Sequence, residues 1–82
     1  MSKQVLIEWD KQALSDWIKS EKKDRAITYQ ELEKILDLPY GTLDWWRLKL
    51  VDKLSPRSIE AIAKYRKCTS TEVKAWLKIK NT

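Results

Sequence analysis

Four cations fall within eleven residues, at Arg47, Lys49, Lys53 and Arg57, and a polar triplet, Thr28-Tyr29-Gln30, stands at the expected start of a helix upstream of them. Fixed cations and the unpaired backbone N–H groups of a helix N-terminus both hold anions, phosphate above all. Around and between the two groups, Gly41, Asp44, Trp45 and Leu48, with Tyr40 near the helix start, lie on the outward side of a helix whose other face carries Leu43, Trp46 and Leu50. Reaction chemistry is far more restricted. The chain has no histidine, so it lacks the usual neutral-pH base and the imidazole metal ligand. Its single cysteine, Cys68, cannot form an internal disulfide or a thiolate zinc site, and its single glycine cannot build a phosphate-cradling loop. These counts point away from an enzyme and from any cofactor or metal.

The elements that position those residues follow from composition and local pattern. Of 82 residues, 42 are Ala, Leu, Glu, Lys, Gln, Arg or Met, the good helix formers, while one Gly and two Pro leave little turn chemistry for hairpins. One all-α domain is expected. The net charge of +5 is lopsided: residues 1–37 hold 7 basic and 8 acidic side chains, and residues 38–82 hold 10 and 4. Segregated basic charge suits a polyanion, because cations that neutralise phosphates release condensed counterions; it also suits a merely solvated helix face. No apolar run approaches the ~18 residues of a membrane span, and residues 1–10 lack the apolar stretch of a signal peptide. With the lone cysteine, this implies a cytoplasmic protein that does not engage membranes.

Residues 1–9 fit either a short extended arm, with Val5, Ile7 and Trp9 alternating, or the helical spacing of Leu6, Trp9 and Ala13; β-branched Val5 and Ile7 favour the arm. Residues 10–80 form the domain. A first helix is expected from Asp10 to Lys22 with Ala13, Leu14, Trp17 and Ile18 inside, followed by a solvated Glu21–Arg25 connection. Thr28 and Glu31 make a capping box for a second helix with Leu32, Ile35 and Leu36 inward, stopped at Leu38 by Pro39. A third is expected from Pro39 or Tyr40 to about Val51. Ser55-Pro56 opens a fourth, with Ile59, Ile62, Ala63 and Tyr65 inward, and Thr69–Glu72 caps a fifth, with Val73, Trp76 and Leu77 inward. Trp17, Trp46 and Trp76 are expected in the core; Trp9 and Trp45 fall on no apolar stripe.

Residues 28–48 carry a recognisable length pattern: a short helix, a break at Asp37-Leu38-Pro39, and an amphipathic helix. Thr28, Gln30, Leu32, Leu36, Leu38, Thr42-Leu43, Trp46-Arg47 and Ile62-Ala63 together resemble the Cro/C1-type (lambda-repressor-like, XRE) helix-turn-helix family. Departures are Glu33 at a position where the family carries a small residue, Asp37 in place of the turn glycine, and Lys49 and Lys53 where a Gly and a Pro are usual. The resemblance implies a compact five-helix domain that docks its third helix in the major groove of double-stranded DNA, as a homodimer that regulates transcription by occupancy.

Under that implication Tyr40, Gly41, Asp44, Trp45 and Leu48 face the bases, and Thr28, Tyr29, Gln30, Arg47, Lys49, Lys53 and Arg57 face phosphates. None of the five base-facing residues is a bidentate reader of guanine or adenine. Trp45 and Leu48, with Tyr40, also form an apolar patch suited to a protein partner. A protein-interaction module is therefore the alternative, and stacking of single-stranded nucleic acid on exposed aromatics is a third.

Overall fold

A computed structural model of the chain describes residues 9–79. Five helices follow one another there: α1 (Lys11–Arg25), α2 (Tyr29–Leu36), α3 (Thr42–Arg47), α4 (Pro56–Arg66) and α5 (Ser70–Leu77). The described residues contain no strand, and no helix among them is long and apolar enough to cross a membrane. The arm expected over residues 1–9 lies outside the described residues except for Trp9.

The starts of four of the helices, α1, α2, α4 and α5, are local events. Asp10 accepts from the Ala13 N–H at the head of α1, and Ser55 accepts from Ser58 ahead of Pro56. Thr28–Glu31 and Thr69–Glu72 are complete capping boxes, each side chain taking the other residue's backbone N–H. The ends share one solution. Ala26, Asp37, Lys49, Lys67 and Lys78 all adopt positive φ, and the next N–H reaches back to the carbonyl five residues earlier, as in a Schellman motif. The residue in that next position is apolar each time: Ile27, Leu38, Leu50, Cys68 and Ile79. Four of these pack against the core, and that contact holds the left-handed turn without glycine. Leu50 is the exception, 56% exposed.

The expected bounds of two helices are corrected. Helix α1 runs to Arg25, not Lys22, because Glu21, Lys22, Lys23 and Arg25 are good helix formers and Arg25 pairs with Glu21 at 3.3 Å. Helix α3 is only six residues, not twelve. Gly41 at φ +88 breaks the chain before it, and the left-handed turn at Lys49 closes it. Leu50 therefore lies beyond the helix and faces solvent, not the interior.

The core contains Leu14, Ile18, Leu32, Leu36, Leu43, Trp46, Ile59, Ile62, Ala63, Val73 and Leu77, so each helix contributes. Ile35, expected inside, is half exposed; α2 instead turns Glu33 inward with Leu32 and Leu36. Trp17 and Trp76 are half-buried at the core's edge, packing edge-to-face at 5.7 Å, with Tyr65 edge-on to Trp17 at 5.8 Å. Arg66 covers this cluster, its guanidinium 4.0 Å from the Trp76 ring centre. Tyr65 donates its hydroxyl to Glu21 at 2.6 Å, and burial, reinforced by that carboxylate, pushes its phenol pKa up. The Glu21 hydrogen bond likewise raises the Arg25 pKa.

Candidate nucleic-acid interface

Helix α3 is too short to hold itself. Six residues span about 9 Å and form few internal hydrogen bonds, so neighbours must fix it. Leu43 and Trp46 point into the core beneath it. At its start, N-cap Gly41 offers no side chain, and the Leu43 N–H is instead taken at 2.8 Å by the Glu33 carboxylate from α2. At its end, the Arg47 carbonyl accepts at 2.7 Å from the hydroxyl of Ser15, a fully buried residue of α1. Both ends of α3 are thus tied to other helices by buried polar groups, which is where burying a polar side chain is stabilising.

So mounted, α3 turns Asp44 and Trp45 outward, with Tyr40 just before it and Leu48 as its C-cap. Tyr40 is 83% exposed, Trp45 59% and Leu48 51%. The N-terminal ends of α2 and α3 flank an open concavity of about 380 Å³. Six of the twelve residues expected at the interface line it: Thr28, Tyr29, Gln30, Tyr40, Gly41 and Asp44. Lys22 and Glu33 complete its walls, and neither stood out in the sequence. Lys22 could not, because it sat in a stretch expected to be solvated; Glu33 appeared only as an unusual residue at a small-residue position.

The cations are arranged unevenly. Lys22 and Arg47 both lie over the Tyr29 ring, at 5.3 and 5.2 Å. Arg47 also binds Asp44 at 3.0 Å, and its Nε is buried without an acceptor. Its charge is therefore largely committed to offsetting Asp44. Lys49 donates to Gln12 at 2.8 Å, which draws it toward α1. Lys53 and Arg57 are exposed and form no ion pair among the described residues. Arg57 lies apart from the α2–α3 concavity, on a second groove between α2 and α4 lined also by Ile35, Asp37, Glu60 and Lys64. Thr28 is engaged with Glu31 through both its hydroxyl and its N–H, so the start of α2 already carries a carboxylate.

Trp9, unassigned by pattern, is half-buried and donates its indole N–H to the Asp52 carbonyl at 2.7 Å. With the Lys11–Asp52 pair at 3.8 Å, it clamps the α3–α4 connection to the start of α1. Compared with known proteins, the chain matches no family model, no curated protein and no solved structure.

Proposed function

We propose that this chain is a small regulator that binds double-stranded DNA, with α2 and α3 forming a helix-turn-helix whose second helix enters the major groove, and that it acts as a homodimer. The observation that carries the reading is the mounting of α3: a short helix pinned at both ends by Glu33 and Ser15, with its outer side chains left in solvent. The major groove is about 12 Å wide and admits such a helix. Lys22 supplies positive charge in the concavity beside α3, and the +6 balance of residues 38–82, Lys53 and Arg57 included, adds long-range attraction. Occupancy of DNA needs no cofactor.

The test is fluorescence anisotropy of a labelled random-sequence duplex at increasing salt. Binding at 50 mM salt that weakens steeply toward 200 mM supports the reading. Absence of any binding at the lower concentration sinks it.

A second reading rests on a different observation. Tyr40, Trp45, Leu48 and Leu50 are all large, exposed and within eleven residues of one another, and Asp44 lies among them. Such a patch suits protein contact, with this fold serving as an interaction module. Trp45→Ala then abolishes self-association or partner binding, whereas Lys49→Ala and Arg57→Ala leave it intact.

A further inference from the structure

Of the apolar residues that follow the left-handed turns, Leu50 alone misses the core. Its N–H is bonded to the Trp45 carbonyl at 2.9 Å, and Leu48 stands about one turn from Trp45 on the outer side of α3. Trp45, Leu48 and Leu50 thus form one apolar patch, each of them more than half exposed. The turn at Lys49 lacks the apolar contact that accompanies such helix ends, and it lies beside an exposed tryptophan.

The chain itself brings a covering segment within reach. Trp9 is anchored by its indole to the Asp52 carbonyl at 2.7 Å, and Asp52 lies two residues past Leu50. Residues 1–8, outside the described residues, lead into that anchor and contain Val5, Leu6 and Ile7. Two residues of extended chain span about 7 Å, so Ile7 lies within that distance of Trp9, as Leu50 does of Asp52. Val5 reaches about 14 Å from Trp9, far enough to pass Leu50 toward Trp45. In an extended segment Val5 and Ile7 share the side of Trp9. Charge is complementary at the same place: Glu8 precedes Trp9, and Lys53, exposed and without an ion pair among the described residues, follows Asp52. Tethering at Trp9 gives the segment an effective concentration on the order of millimolar, which a separate partner has to match.

We propose that residues 1–8 fold back on their own chain and lay Val5 and Ile7 on the Trp45–Leu48–Leu50 patch, covering the outward face of α3. The contact is autoinhibitory. On the DNA-binding reading above, on which this consequence rests, the segment must leave before α3 enters a groove.

The test is NMR of the full chain, seeking NOEs from the Val5 and Ile7 methyl groups to the Trp45 ring and the Leu50 methyl groups. The same spectra are recorded on a mixture of isotope-labelled and unlabelled chains. NOEs within one chain are expected. They are lost in Val5→Ser/Ile7→Ser and, from the other side, in Leu50→Ser, an exposed position outside every helix. Affinity for random duplex rises about tenfold in either variant, because the wild type is then open about a tenth of the time, and the combined variant gains no more than either alone. Absence of the NOEs overturns the proposal. NOEs that pass only between chains give the patch to a second copy and overturn it too. NOEs within one chain with unchanged duplex affinity in both variants overturn the autoinhibitory role. If wild type and variants bind no duplex while the NOEs are present, the DNA reading fails and the docked segment stands.

Discussion

The buried carboxylate of Glu33 accepts the backbone N–H of Leu43 at 2.8 Å, joining α2 to the first turn of α3. Glu33 is 4% exposed, and this hydrogen bond stands in for the side-chain cap that Gly41 cannot supply. Hydrogen bonds to charged groups contribute about 1.5–3 kcal/mol, and an unmet buried N–H adds its own penalty. Glu33→Ala is expected to destabilise the fold by about 2–3 kcal/mol. Glu33→Gln keeps an acceptor and is expected to cost about 1 kcal/mol. Urea unfolding of the three proteins checks the ordering; equal losses for both variants would show that the negative charge, and not an acceptor of the right shape, is what matters.

The left-handed helix ends yield a stabilising change. Lys67 stands at φ 58 and ψ 46, is exposed, and has no ring or ion-pair contact among the described residues. A non-glycine residue there carries a cost of roughly 1 kcal/mol that glycine avoids. Lys67→Gly is expected to stabilise by about 0.5 kcal/mol after the added freedom of the unfolded chain, raising Tm by about 2–4 °C. Differential scanning calorimetry reads this directly. A lower Tm contradicts it.

Alkaline pH should reach the Tyr65–Glu21 hydrogen bond. Folding raises the Tyr65 pKa above its ordinary 10.0, so the folded state holds this proton more tightly than the unfolded state. The associated stability is full below about pH 10 and is lost as pH rises through the folded value. Tyr65→Phe is expected to be less stable than the wild type at pH 7 by about 1 kcal/mol and to lose less between pH 9 and 11. Parallel urea titrations at those pH values compare the slopes; identical slopes would exclude Tyr65 as the cause.

Salt dependence separates the two free cations from the committed one. If Lys53 and Arg57 face phosphates, Lys53→Ala and Arg57→Ala each reduce the log–log salt slope by about 0.9 and weaken all duplexes alike. Arg47→Ala is expected to act differently: it uncovers Asp44 and removes packing on Tyr29, so it lowers thermal stability as well as affinity. Anisotropy over a salt series, paired with a thermal melt, distinguishes them.

What was legible in the chain was what neighbours in sequence decide. Thr28–Glu31, Ser55-Pro56 and Thr69–Glu72 each declare a helix start within four residues, and the poverty of Gly and Pro declares an all-helical fold. Thr28, Tyr29 and Gln30 were expected to face phosphates and Tyr40, Gly41 and Asp44 to face bases; all six line one concavity. Local reasoning gave α3 twice its length because Leu43, Trp46 and Leu50 keep helical spacing, while the turn that ends α3 is set at Lys49 by backbone geometry.

Tertiary packing decided the rest. Glu33 reads as a surface residue until α3 presents an N–H with no other partner, and Ser15 until the Arg47 carbonyl arrives above it. Leu50 occupies the same position after a left-handed turn as Ile27, Leu38, Cys68 and Ile79, but only those four meet the core. Capping and helix propensity act over a few residues, so the sequence alone determined where α1, α2, α4 and α5 begin and that the domain would be helical. Burial depends on which helix lies across the gap, and that is a property of the folded chain alone.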